Sequence, residues 1–225
     1  MDQDHDMMVK KLFEGVYELN GKLATVNLAP GKKVYNEELV KIDGVEYRLW
    51  NPYRSKLAAA ILKGLKHMEI RKGSSVLYLG AATGTTSSHV SDIVGEEGAV
   101  YALELSERNM RELIKVCESR SNMVPILADA RYTSKYEQYI DSCDIIYQDI
   151  STKEQAKVLL ENSRFLKNGG IAYFIIKSQS IDIRNSPSKT YEKELKILEG
   201  KFEILQKFSL EPYDSMHLFV VLRKV

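Results

Sequence analysis

The segment Val76-Leu-Tyr-Leu-Gly-Ala-Ala-Thr-Gly-Thr-Thr86 limits the fold more than any other part of the chain. Four apolar residues in succession read as a buried strand. The glycines that follow let the backbone turn sharply and approach a ligand, and the helix beyond them presents unpaired N–H groups. The spacing is not G-x-G-x-x-G: Ala-Ala-Thr separates Gly80 from Gly84, so the pyrophosphate fingerprint of a dinucleotide fold is not met.

The chain downstream alternates strands and helices. Residues 87–94 read as helix, 99–105 as strand, and 107–119 as helix with apolar positions at 110, 113, 114 and 117. Residues 124–127, 145–147 and 171–176 supply three more strands, with a helical stretch over 153–165 before the last of them. This rhythm predicts parallel strands with crossover helices. After a helix over 191–198, strands over 202–210 and 218–222 flank Glu211-Pro-Tyr-Asp-Ser-Met216, a link too short for a helical crossover, so they should run antiparallel. The first fifty residues differ. Residues 16–19 and 23–26 flank Asn20-Gly21, and residues 40–42 and 45–50 flank Asp43-Gly44: two hairpins with type I′ turns. Pro52 is expected in the first turn of the Ala-rich helix over 56–63. The division is a small antiparallel β domain, residues 1–50, and a larger α/β domain, residues 51–225.

Open α/β sheets bind ligands at the carboxyl ends of their strands. Four such ends here carry the glycine loop, Glu104, Asp129 and Asp149. Glu104 stands where an acid accepts from ribose hydroxyls in such folds, and Asp129 is able to accept from an adenine amino group. Acids without a pyrophosphate pattern suit a nucleoside cofactor lacking phosphates and bearing a positive sulfonium, S-adenosylmethionine. A methyltransferase therefore outranks a dehydrogenase. Lys177, at the end of the apolar run 171–176, is the candidate base beside the sulfonium.

Composition narrows the remaining classes. Lys and Arg number 32 against 31 Asp and Glu, so a nucleic-acid role cannot rest on a generally basic surface. The charge is local: residues 51–72 hold Arg54, Lys56, Lys63, Lys66, Arg71 and Lys72 against Glu69 alone, while residues 141–154 are acidic. Cys117, Cys143, His5, His67, His89 and His217 lack ligand-like spacing, which argues against a metal site or a disulfide framework and fits a cytoplasmic protein. No apolar run approaches the roughly 20 residues that span a bilayer. The acidic start, residues 1–6, has neither the basic nor the apolar region of a signal peptide.

Asn51-Pro-Tyr-Arg-Ser-Lys-Leu-Ala-Ala-Ala60, the loop and helix over 80–95, and Ala128-Asp-Ala-Arg131 together resemble the fibrillarin family, across nearly the whole chain. No Gly/Arg-rich extension is present, which favours the archaeal form. The resemblance implies a Rossmann-like S-adenosylmethionine-dependent methyltransferase fold, with a mostly parallel sheet and an antiparallel C-terminal strand, beside the small N-terminal β domain. It implies guide-directed ribose 2′-O-methylation of rRNA and tRNA within a box C/D ribonucleoprotein. The partners would be guide RNA, a Nop-family scaffold and a kink-turn-binding ribosomal-type protein. Lys56, Asp149, Lys177 and His217 would form the catalytic set. Gly80, Ala81, Thr85, Thr86, Glu104, Leu105, Asp129, Ala130, Asp149, Ile150, Ser151 and Thr152 would hold the cofactor. One segment departs: family members usually read Asp-Val-Ala-Gln-Pro where this chain has Asp149-Ile-Ser-Thr-Lys153. Two other readings stand beside this one, a methyltransferase for another substrate such as a protein side chain, and a non-catalytic subunit of the same particle.

Overall fold

The computed structural model of the chain describes residues 8–225; His5 and the acidic start lie outside the described residues. The first five strands, β1 (Val9–Phe13), β2 (Val16–Leu19), β3 (Lys22–Val26), β4 (Leu39–Ile42) and β5 (Val45–Leu49), form an antiparallel sheet in the order β1-β2-β3-β5-β4. Asn20 and Gly21 have φ of 47° and 83°, and Asp43 and Gly44 have 49° and 81°. Positive φ at both central residues is the requirement of the type I′ hairpin. The sequence reading missed β1, whose Val9-Lys-Lys-Leu-Phe13 breaks the alternation and whose ladder to β2 is irregular between Lys11 and Phe13.

The larger part runs α1 (Lys56–Leu62), β6 (Ser75–Leu79), α2 (Thr85–Val94), β7 (Ala99–Glu104), α3 (Glu107–Cys117), β8 (Met123–Leu127), β9 (Cys143–Gln148), α4 (Gln155–Asn162), β10 (Leu166–Lys177), α5 (Ser178–Ile181), α6 (Pro187–Ile197), β11 (Phe202–Ser209) and β12 (His217–Lys224). Its sheet has the order β11-β12-β10-β9-β6-β7-β8. Strands β8, β7, β6, β9 and β10 are parallel, while β12 is antiparallel to both β10 and β11. The chain steps outward from β6 through β7 to β8, then returns to place β9 on the other side of β6. The strand order therefore reverses at β6, and the crevice at the carboxyl ends of β6 and β9 is the expected ligand position.

Three local expectations need correction. Pro52 is not in the helix: Asn51 closes a turn by accepting from Tyr53 N (2.9 Å) and Arg54 N (3.1 Å), and Ser55 then caps α1, accepting from Ala58 N. The helix expected over 153–165 is α4 followed by a tighter 3₁₀ turn, Ser163–Phe165. The helix expected from residue 191 begins earlier, at Pro187, whose missing N–H costs nothing in a first turn.

Alternation along β6 divides the core. Val76 and Tyr78 point to one face with α1, α2 and α3, and Leu77 and Leu79 to the other with α4 and α6. Val16, Leu23 and Trp50 of the N-terminal part join the first cluster, which among the described residues leaves Leu19, Ala24 and Tyr47 as a buried core of the small sheet itself. The small sheet thus depends on the larger body. No helix among the described residues is long and apolar enough to cross a membrane. Nor do described His, Cys, Asp or Glu residues form a cluster suited to a metal ion.

Candidate active site

A cleft of about 400 Å³ opens at the carboxyl ends of β6, β7, β8 and β9. Gly80, Glu104, Leu105, Asp129, Ala130, Asp149, Ile150, Ser151 and Thr152 line it, together with Lys177. Gly80 is required on two counts. Its φ is 88°, and a Cβ there would collide with the main-chain carbonyl oxygen of Asp149. The β6 and β9 ends can meet this closely only through a glycine. Glu104 is buried and ties the loop to β7, accepting from Ala82 N (2.6 Å) with one oxygen and from Ser106 N (3.0 Å) with the other. Each oxygen keeps a lone pair for a ligand hydroxyl. Asp129 is paired with Arg131, whose Nε and Nη2 donate to its carboxylate, and these hydrogen bonds hold the Asp129 carboxyl below its usual range.

Ala81, Thr85 and Thr86 do not line the cleft. Positive φ at Gly80, Ala82 and Gly84 coils the loop tightly. Ala81 is turned into the core with its N–H on Leu103 O, while Thr86 Oγ1 donates to Ser55 Oγ (2.9 Å) and joins α2 to the cap of α1. Leu103, Ser106, Asn109 and Arg131 line the cleft without having been singled out in the sequence. A Ser-x-x-Asn helix start directly after a strand-end acid was the available signal for Ser106 and Asn109.

At one end of the cleft the four candidate catalytic residues converge from α1, the end of β9, the end of β10 and the start of β12. Lys56 Nζ donates to Asp149 Oδ2 (2.8 Å), and Lys177 Nζ lies 2.9 Å from Asp149 Oδ1. Burial alone would push the Asp149 carboxyl up; the two ammonium groups outweigh it, so its pKa lies below the usual value and the group is a carboxylate at neutral pH. His217 joins the cluster through a residue the sequence reading passed over. Asp214 lies 2.9 Å from His217 Nδ1 and 3.8 Å from Lys56 Nζ. Burial raises the Asp214 carboxyl, but His217 and Lys56 bring it net below its ordinary value. A carboxylate three residues before a candidate histidine was the signal for it. Register brings two of the four together, since Lys177 is paired directly with His217 across β10 and β12.

A second charged cluster holds the small sheet against α2, the helix that the glycine loop opens. Asp92 accepts four hydrogen bonds, from Leu28 N (2.9 Å), Arg120 Nη1 (2.6 Å), Thr25 Oγ1 (2.7 Å) and Arg48 Nη1 (2.9 Å). Arg48 also donates to Glu37 Oε1 (2.7 Å) and Ser88 Oγ (2.9 Å). His89 bridges Thr25 Oγ1 (2.8 Å) and the Tyr35 hydroxyl (2.7 Å) and stacks on Trp50 at 4.7 Å. Thr25 gives its proton to Asp92, so His89 Nδ1 carries the hydrogen on that side. Burial, then Arg48 and Arg120, depress the His89 pKa far below its ordinary value, and burial pushes Tyr35 up to about 12. Both are neutral in the folded protein at neutral pH.

Comparison with known proteins agrees with this geometry. The sequence model of the fibrillarin family matches residues 7–225. The fibrillarin-like rRNA/tRNA 2′-O-methyltransferase of Thermococcus onnurineus is 49% identical over 225 residues, covering 97% of this chain and all of that protein. The crystal structure of Aeropyrum pernix fibrillarin with natively bound S-adenosyl-L-methionine superposes with a TM-score of 0.87 at 42% identity, covering 96% of this chain and 99% of that one. The crystal structure of a fibrillarin/Nop5p complex superposes with a TM-score of 0.88 at 40% identity, covering 96% of this chain and 100% of its counterpart. The family model spans the glycine loop, the acidic strand ends and the converging lysines, and the chain belongs to the fibrillarin family.

Proposed function

We propose that this chain is an RNA ribose 2′-O-methyltransferase that uses S-adenosylmethionine and is directed by guide RNA. The observation that carries the reading is the convergence of Lys56 and Lys177 on one carboxylate, Asp149, at the end of an acid-lined cleft. The cleft suits the cofactor. Its volume falls within the roughly 300–1,000 Å³ of small-molecule sites. Its lining sets Glu104, Asp129 and Asp149 against Arg131 and Lys177, and Leu105, Ala130 and Ile150 offer apolar walls for a flat base. Glu104 would take the ribose hydroxyls, Asp129 the adenine amino group, and the loop Asp149–Thr152 the amino-acid end. S-adenosylmethionine supplies an electrophilic methyl group.

The chain's own residues would place and deprotonate the hydroxyl. Lys56, Asp214 and His217 would steer the 2′-hydroxyl and the adjoining phosphate. Lys177 and Asp149 together would take up the proton, Lys177 passing one to the carboxylate as it accepts one from the hydroxyl, so the pair gains one proton in all. The hydroxyl becomes strongly acidic as its oxygen takes on the methyl, so a carboxylate held below its usual range suffices.

We extend the reading to membership of a box C/D particle with a Nop-family scaffold, a kink-turn-binding ribosomal-type protein and guide RNA; the relative seen with Nop5p supports the scaffold alone. A reducing cytoplasmic location is proposed on the two free cysteines, Cys117 and Cys143. The near-zero net charge, 32 Lys and Arg against 31 Asp and Glu, supports weak, salt-sensitive RNA binding by the free protein, the partners supplying most of the affinity. In a reconstituted particle, the guide-specified nucleotide of rRNA or tRNA should become resistant to alkaline cleavage. Label found on a protein side chain, or no transfer at all, would overturn the proposal.

A further inference from the structure

Gln155 is the first residue of α4, is fully buried, and does not line the cleft. A buried side-chain amide is costly unless its donors and acceptor are matched. Here three hydrogen bonds satisfy it, and two of them go to a single residue. Gln155 Oε1 accepts from Lys177 N (2.9 Å), and Nε2 donates to Lys177 O (3.1 Å) and to Thr152 O (3.1 Å).

The sheet explains why Lys177 needs this. The parallel ladder between β10 and β9 reaches only to Phe174 and Gln148, whereas the pairing of β10 with β12 continues to Lys177 and His217. The main-chain groups of Lys177 on the β9 side therefore have no neighbouring strand, and the Gln155 amide takes its place. Gln155 is itself held. Its carbonyl accepts from Gln148 Nε2 (2.7 Å), and the next amide, Ala156 N, donates to Glu194 Oε2 on α6 (2.7 Å). The amide thus joins the end of β10 to the loop Asp149–Thr152, the two segments that carry Lys177 and Asp149.

We propose that Gln155 is a positioning residue: its buried amide fixes the Lys177 main chain against the cleft loop, so that the Lys177 ammonium meets Asp149. This rests on the reading of Lys177 as catalytic. An apolar side chain of the same length would fill the space but leave the Lys177 N–H and C=O unmatched. Misplacement of a reacting group by about 1 Å costs on the order of 10²-fold in rate.

The test compares Gln155→Met with the unaltered protein in the reconstituted particle, with and without Lys177→Ala, by single-turnover methyl transfer. Amide hydrogen exchange at Lys177 and calorimetric S-adenosylmethionine binding are read on the free proteins. The expected result is a fall in transfer rate of about 10-fold or more, cofactor affinity within about 3-fold, and faster exchange at Lys177. In the Lys177→Ala background, Gln155→Met should cost less than about 2-fold further, because residues acting as one unit are not additive. Equal losses in both backgrounds, an unchanged rate, or unchanged exchange would overturn the proposal. If Gln155→Met fails to fold, Gln155→Glu, which keeps the acceptor and loses both donors, is read by the same criteria. An undiminished rate in Lys177→Ala alone would instead remove the catalytic reading beneath the proposal.

Discussion

Two charged clusters in this molecule use the same chemistry, two cations converging on one carboxylate, under opposite conditions. Around Asp92 the side chains of Arg48, Asp92 and Arg120 are 0–1% exposed. Each Asp92 oxygen accepts two hydrogen bonds. Around Asp149 the side chains of Lys56, Asp149 and Lys177 keep 16–21% of their surface. There Asp149 Oδ1 and His217 Nδ1, although close to charged neighbours, lack a well-directed hydrogen bond. The residue types differ in the same sense. Arginine, a rigid fork of donors, serves the sealed cluster, and lysine, a mobile point charge, serves the open one. The cluster that holds the small sheet to α2 is fully buried and its carboxylate is fully matched, although Arg120 Nε has no partner; the one at the cleft is partly exposed and its carboxylate is not fully matched.

The largest effect should come from breaking the sealed cluster. Asp92→Ala leaves Arg120 a buried charge without a carboxylate and Arg48 with Glu37 alone, and removal of one member of a buried pair costs about 3–5 kcal/mol. Denaturant unfolding should show that loss, while cofactor affinity per folded molecule stays near its original value. A loss below about 1 kcal/mol would mean that the cluster does not hold the sheet.

The open cluster should respond the other way. Asp149→Asn should lower methyl transfer by about 10²-fold, the scale of a lost acid–base partner, and change stability far less than Asp92→Ala does. Comparable losses of stability in the two variants would erase the distinction between the clusters.

The smallest effect is a pH dependence. His89 has a folded-state pKa well below its ordinary value of 6.5, so the unfolded chain binds its proton first as pH falls. The stability that it contributes is complete above about pH 6.5 and declines as pH drops toward the folded-state value. His89→Gln should flatten the fall in stability between pH 6.5 and about 5, above the range in which Glu37, itself held low because Arg48 and main-chain amides outweigh burial, begins to contribute. An unchanged slope would place the acid sensitivity elsewhere.

The open cluster was far more legible in the sequence than the sealed one. Asp149 and Lys177 end apolar runs, and a charge at the end of a buried strand stands out against its neighbours. Arg48 lies in Val45-Glu-Tyr-Arg-Leu49, where alternation assigns it to a solvent face. The residue is buried because that face meets α2 rather than water. Asp92 and Arg120 look like ordinary helix-surface and loop charges for the same reason, since sequence periodicity reports sidedness but not what covers the polar side. Asp214 was missed within an irregular loop that has no period to read. Gln155 was hidden among helix formers, because its work is done by one amide at the end of a strand far along the chain.

The most direct measurement is single-turnover methyl transfer from labelled S-adenosylmethionine to a guide-matched RNA by a reconstituted particle carrying Lys177→Ala, with cofactor binding and thermal unfolding measured alongside. If the cluster at the cleft performs the reaction, transfer falls by about 10²-fold or more while cofactor affinity and unfolding temperature stay close to those of the unaltered protein. Undiminished transfer by Lys177→Ala, or a loss fully explained by weaker cofactor binding, would contradict the catalytic role assigned to the pair of Lys177 and Asp149.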